Sequence, residues 1–155
     1  MIQYRKGDLL SVQEGIIAHG VNCQGVMGSG VALAIRRKYP EAYLSYIEYI
    51  ENFQNLYSDQ EFETKSLLGC MQITHTENEN LFIANCFTQD FYGTDRRHVN
   101  YEAVAQSFSE LELYTYLGTL HIPKIGAGLA GGDWKVIEAI INSVYDGDVI
   151  CWTLD

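Results

Sequence analysis

Apolar positions along the chain repeat with two different periods. Short runs near residues 2–5, 15–19, 69–75, 81–87, 119–125 and 148–154 read as strands, among them Gly15-Ile16-Ile17-Ala18-His19 and Leu81-Phe82-Ile83-Ala84-Asn85-Cys86-Phe87. Longer stretches repeat at helical spacing. One runs from about Ser29 to Tyr39 and must stop before Pro40, because the residue preceding a proline is pushed out of the helical region. A second, 41–53, places Tyr43, Tyr46, Ile47 and Ile50 on one face. A third, 100–116, does so with Tyr101, Val104, Ala105 and Phe108, and a fourth, 133–145, with Ile137, Ile140, Ile141 and Val144. The polar stretch 52–66 reads as a surface loop or frayed helix end. Strands alternating with amphipathic helices predict an α/β fold, one layer of sheet between helices.

Composition narrows the class. The 155 residues fit one domain, taken as 1–155, which can bury a core without metal or disulfide support. With 47% hydrophobic and 19% charged residues the chain is predicted to be ordered. Ten Lys+Arg against twenty Asp+Glu leave a formal charge of −10, which opposes binding to unmodified nucleic acid or to an anionic membrane surface. The opening residues Met1-Ile2-Gln3-Tyr4-Arg5-Lys6-Gly7-Asp8 lack the apolar core of a signal peptide, and no run approaches the roughly 20 apolar residues of a membrane span. A soluble, cytoplasmic, monomeric protein is the expectation. Cys23, Cys70, Cys86 and Cys151 have no CxxC spacing and are expected to be reduced; His75, His98 and His121 have no metal-ligand spacing, so no metal and no cofactor is expected.

Glycine is distributed unevenly. Of fourteen glycines, Gly20, Gly25, Gly28 and Gly30 fall in one short window and Gly126, Gly128, Gly131 and Gly132 in another. Each window follows a predicted strand and opens a predicted helix, where free N–H groups and the helix dipole favour an anion. Glycine allows positive φ there and leaves no Cβ between backbone amides and a ligand oxygen. Two such loops could grip the two halves of a diphosphate. Neither is a Walker A loop, since Gly25-Val26-Met27-Gly28-Ser29-Gly30 lacks the Gly-Lys-Ser/Thr ending, and the GxxGxG order is not a dinucleotide fingerprint.

These residues, together with Lys6-Gly7-Asp8-Leu9-Leu10, the His19-Gly-Val-Asn22-Cys-Gln-Gly25 string, Phe87-Thr88-Gln89 and the aromatic end Val149-Ile150-Cys151-Trp152-Thr153-Leu154, resemble the macrodomain family, which binds ADP-ribose. The resemblance is strongest to the branch containing ADP-ribose 1″-phosphate phosphatases and ADP-ribosyl-glutamate hydrolases. It implies a three-layer α/β/α sandwich around a mixed, about six-stranded sheet. It implies further that Asp8, with Leu9 beside it, meets the adenine, although Gly-Asp is also common turn chemistry. Asn22 would hold the distal ribose, or else satisfy its own loop. Gly28, Ser29, Gly30 and Val31 would line the first cradle, and Gly126, Ala127, Gly128, Leu129 and Ala130 the second. Trp152 would lie near the adenosine, and Gln89 and Tyr92 at the opposite end of the cleft.

His19 is the first catalytic candidate, an imidazole at a strand end with an ordinary pKa near 6.5 suited to proton transfer; a structural histidine is the competing reading. Asp133 is the second, and its place before the last helix also predicts an N-cap. The hydrolase pattern carries an acidic residue after Gly-x-Gly-Leu, where this chain has Ala130. Arg36-Arg37-Lys38 would complement a helix C-terminus, and Arg96-Arg97-His98 form a loop near the cleft mouth. The expected activity is metal-independent hydrolysis at the 1″ position of ADP-ribose derivatives, chiefly ADP-ribose 1″-phosphate, with ADP-ribosylated macromolecules as related partners. The alternative is a module that binds ADP-ribose without turnover.

Overall fold

A computed structural model describes residues 1–57 and 61–154. Strands β1 (Ile2–Lys6), β2 (Gly15–Asn22), β3 (Met71–His75), β4 (Leu81–Gln89), β5 (Leu120–Ile122) and β6 (Val149–Thr153) form a mixed sheet in the order β1-β6-β5-β2-β4-β3. All neighbours run parallel except β3, which pairs antiparallel with β4. The helices α1 (Gly30–Lys38), α2 (Pro40–Gln54), α3 (Tyr101–Leu111) and α4 (Trp134–Val144) cover both faces.

The period-2 alternation of β2 explains the layering. Ile16 and Ala18 point into a core shared with Val104, Phe108 and Leu111 of α3 and Ile137 and Ile141 of α4. Ile17 points the other way, into a core with Ile35 of α1 and Ala42 of α2. Further along, Val21 packs with Tyr46 of α2 and with Phe87. A strand buried on both faces must be apolar throughout, which is why β2 and β4 read as continuous hydrophobic runs. Crossover helices on both faces of a parallel sheet are the arrangement that buries every such face.

Three boundaries differ from the sequence reading. The expected strand 119–125 ends at Ile122, because Pro123 has no N–H to give a neighbour and the chain then turns, with Ile125 N donating to Pro123 O at 2.8 Å. The third helix stops at Leu111 and continues as a 3₁₀ segment, Glu112–Leu117, kinked at Tyr114. The stretch 52–66 is divided among the last turn of α2, a 3₁₀ turn at Thr64–Leu67 that begins within it, and residues 58–60, which lie outside the described ones. Helix α1 ends at Lys38, as the proline rule requires, and Pro40 takes the first position of α2. Among the described residues no helix is long and apolar enough to cross a membrane.

Phe108 lies on the buried face of α3, whereas Leu113, just past the helix end, is 72% exposed. Phe108→Ala should therefore cost about 3–5 kcal/mol in urea denaturation, while Leu113→Ala should stay within about 0.5 kcal/mol of the parent. Equal losses would contradict the break at Leu111.

Candidate functional site

At the C-terminal ends of β5, β2 and β4 lies a cleft of about 630 Å³, within the range of small-molecule sites. Its first wall is the loop from β2 to α1, contributing Asn22, Val26 and residues 28–32. Its second is the loop from β5 to α4, contributing Pro123 through Gly126 and Gly128 through Ala130. Gln89, Tyr92, Gly93 and Thr94, at and beyond the end of β4, close it.

The first loop is shaped by side chains. The Asn22 Oδ1 accepts from Gln24 N at 2.9 Å and Val26 N at 3.3 Å, and its Nδ2 donates to Val26 O at 2.7 Å. Tyr46 Oη lies 2.7 Å from the Asn22 carbonyl oxygen and accepts from Gly25 N at 3.1 Å. Asp90 O accepts from Cys23 N at 3.0 Å, and its carboxylate accepts from Gln24 Nε2 at 2.9 Å and Thr64 Oγ1 at 2.7 Å. With the loop held this way, the first bond that leads into α1 is Leu33 N to Ser29 O at 3.2 Å. The amides of residues 30–32 lack partners among the described residues and border the cleft. Ser29 occupies the N-cap without a side-chain capping bond.

The second loop follows the same scheme. Gly132 N donates to Gly126 O at 2.7 Å, and His98 N and Val99 N both donate to Ala130 O, at 2.8 and 3.3 Å. Gly126 has φ +75, and a Cβ there would stand 2.7 Å from Val99 Cγ2, so only glycine fits. The amides of Gly128, Leu129 and Ala130 remain without partners among the described residues. Two sets of free N–H groups thus border one cleft. Among the described residues no carboxylate lines it, and Lys124 is the only lining side chain with a fixed charge.

The remaining expected residues fall elsewhere or into other roles. Asn22 borders the cleft, but its amide is largely committed to its own loop. Ala127 supplies no amide, since its N–H donates to Lys124 O at 3.2 Å, and it does not line the cleft. Leu9 is buried in the core beside Val12 and Ile17. Asp8 caps the 3₁₀ turn Leu9–Ser11, accepting from Leu10 N at 2.9 Å. The indole of Trp152 donates to His121 Nδ1 at 2.9 Å and lies under the Arg5 guanidinium. Asp8 and Trp152 belong to the β1–β6 side and do not line the cleft. Asp133 caps α4, its Oδ1 accepting from Lys135 N at 2.9 Å, and is likewise outside the lining. Arg96, Arg97 and His98 border a second hollow of about 510 Å³, with Arg97 over the Tyr101 ring and His98 bonded to Asp95. Sequence reasoning did not assign Gly20, Val21, Val26, Ala32, Gly93, Thr94, Pro123, Lys124 or Ile125 to the site; of these Lys124, two positions before the second glycine window, carried a usable charge signal.

His19 lines the cleft at the end of β2, as expected, but it is 1% exposed, and its Nε2 lies 2.6 Å from Asn85 Oδ1. The Asn85 Nδ2 donates to Ala42 O at 3.2 Å and Gln72 Oε1 at 2.8 Å, which turns Oδ1 toward the imidazole. The proton therefore sits on Nε2 and donates, leaving Nδ1 a buried acceptor with no partner among the described residues. Burial disfavours the charged ring, only partly offset by the Asn85 bond, and pulls its pKa down to about 4. The imidazole is neutral at physiological pH, so the expectation of ordinary titration near 6.5 is corrected. Burial also pushes the Cys23 thiol up to about 12, and all four cysteines are free.

The Macro domain family model matches residues 18–141, and the chain belongs to that family. It is 30% identical to the Candida albicans ADP-ribose 1″-phosphate phosphatase, covering 92% of each chain. A Bacteroides thetaiotaomicron protein of unknown function superposes with a TM-score of 0.81 at 30% identity, covering 98% of this chain and 97% of that one. A Streptomyces coelicolor macrodomain protein gives 0.77 at 26%, covering 99% of both.

The His19 shift has a sign that can be measured. Between pH 6.5 and about 4 the unfolded chain binds a proton that the folded chain does not. The contribution of His19 is thus fully present above pH 6.5 and lost as pH falls toward 4. Urea denaturation at pH 7 and pH 4.5 should show the parent losing about 2 kcal/mol more than His19→Gln over that interval. Equal losses would mean the imidazole titrates alike in both states.

Proposed function

We propose that this protein is an ADP-ribose-binding hydrolase acting at the 1″ position, with ADP-ribose 1″-phosphate as its main substrate. The observation that carries the reading is the pair of glycine loops presenting amides without partners to a cleft with no carboxylate, both among the described residues, in a chain of charge −10. A polyanion can enter this cleft without meeting a like charge. The name and full-length match of the Candida relative support the same substrate.

In this reading the amides of residues 30–32 and 128–130 hold the diphosphate and orient the distal ribose, with Gln89 and Tyr92 at the 1″ end. The second Nδ2 hydrogen of Asn22 is available to a ribose hydroxyl. Water attacks phosphorus, a new P–O bond forms, and the bond from phosphorus to the 1″ oxygen breaks, giving ADP-ribose and inorganic phosphate. Fixed N–H donors stabilise the negative charge that develops, and binding supplies the alignment. The substrate phosphate has its own proton with a pKa near 6, which can pass to the leaving oxygen.

His19 fits a positioning role better than acid catalysis, because a buried neutral imidazole has no proton to release at its Nδ1. His19 lines the cleft, and its bond to Asn85 ties β2 to β4 there and sets the spacing of the first loop against Gln89. Asp133 reads as a helix cap. Removal of ADP-ribose from an acylated acceptor is less well supported, since Ala130 stands where the acidic residue of that pattern would be.

Phosphate release from ADP-ribose 1″-phosphate in EDTA tests the activity; tight ADP-ribose binding without release would make the protein a reader instead. A Cβ at Gly128 meets nothing within 4 Å. Gly128→Val should therefore leave the melting temperature unchanged while weakening ADP-ribose affinity about tenfold or more in calorimetry. Asp133→Asn keeps a capping oxygen and removes the carboxylate. Turnover within about twofold of the parent is expected, whereas a loss of about 10²-fold would assign Asp133 to the chemistry.

A further inference from the structure

Lys124 was not among the residues the sequence singled out, yet it is the one fixed charge lining the cleft among the described residues. It follows β5 after Pro123 and precedes the second glycine loop, and it lines the same cleft as residues 128–130. Its side chain is exposed and has no carboxylate within ion-pair distance among the described residues, where the ion pairs are Lys65–Glu63 and His98–Asp95. In a chain with twice as many acids as bases, an unpaired cation at the edge of a carboxylate-free cleft points to an anionic ligand.

Its place can be read from the sheet. Lys124 lies two residues past Ile122, the last residue of β5, which pairs with Cys151 of β6. Gln89 and residues 92–94 follow β4, on the opposite side of β5 and β2. Lys124 thus leaves the sheet from a strand that β2 separates from β4, and its carbonyl accepts from Ala127 N at 3.2 Å in the loop assigned to the diphosphate.

We propose that Lys124 is a ligand-binding residue that pairs with the diphosphate and supplies the ionic part of ligand affinity, leaving recognition of the 1″ substituent to uncharged groups. The inference rests on the ADP-ribose reading above. Because the ammonium is exposed, its pairing is screened by solvent and salt, and its effect is modest and dependent on ionic strength. It contributes to ground-state and transition-state binding alike, so it governs KM and not kcat.

Calorimetry with ADP-ribose, and kinetics with ADP-ribose 1″-phosphate, compare the parent with Lys124→Met and Lys124→Arg at 50 and 500 mM NaCl, where the Debye length is about 14 and about 4 Å. Thermal melts check that each variant is folded. Lys124→Met should weaken ADP-ribose binding about fivefold at low salt and raise KM for the 1″-phosphate by the same factor, with kcat nearly constant. The difference should shrink at high salt, and Lys124→Arg should restore most of the affinity. A Lys124→Met variant that matches the parent in affinity and salt dependence overturns the proposal. So does one that loses affinity only for the 1″-phosphate, which would place the cation at the other end. If the parent itself binds no ADP-ribose, the underlying reading falls together with this one.

Discussion

An amide kept free for a ligand is withdrawn from the hydrogen bonding of its own loop, and this constraint shapes the whole top of the sheet. A loop with unpaired N–H groups has fewer internal bonds to hold it, so its conformation must be imposed by other means. In the first loop the Asn22 carboxamide, Tyr46 and the Gln24–Asp90 contacts do so. In the second, Gly132 folds back onto Gly126, while His98 and Val99 fasten Ala130. The cost of ordering these segments is met before any ligand arrives, which is the physical meaning of a preorganised site.

The chain between β4 and α3 joins the two loops. Asp90 fastens the first, residues 92–94 line the cleft between them, and His98 and Val99 fasten the second. Asn100 then caps α3, accepting from Ala103 N at 3.0 Å, and anchors the segment to the core. Arg96 and Arg97, which invite a phosphate-binding reading, lie on the outer side of this connection, and the backbone of Arg97 packs against Gly131. Their position is consistent with a strut that supports the second loop.

Net charge and site charge are separate quantities. A formal charge of −10 repels a long polyanion, whose binding relies on neutralising many phosphates. A single diphosphate can be held by oriented N–H groups and a helix N-terminus over a few ångströms, where local dipoles outweigh distant carboxylates screened by salt. The arrangement that makes this work is a lining that holds no acidic side chain among the described residues, in a chain that has twenty.

Much of the architecture was legible from local pattern. Period-2 apolar runs and helical stripes place the strands and helices within a few residues, and Pro40 marks the α1–α2 joint, because these signals depend on neighbours in the chain. The two glycine windows also announced themselves, since each sits at a strand-to-helix junction where free amides occur. What the tertiary structure alone decided concerns partners distant in sequence. The neutral state of His19 depends on Asn85, 66 positions away, and on complete burial. The entry of Lys124 into the cleft depends equally on packing, whereas Asp8, Asn22, Ala127 and Asp133 bond to groups within four residues, and the cap of Asp133 and the turn at Asp8 were open to local reading. Local spacing specifies which groups are present, but a group's charge state and its free hydrogen-bonding capacity follow from what the fold brings against it.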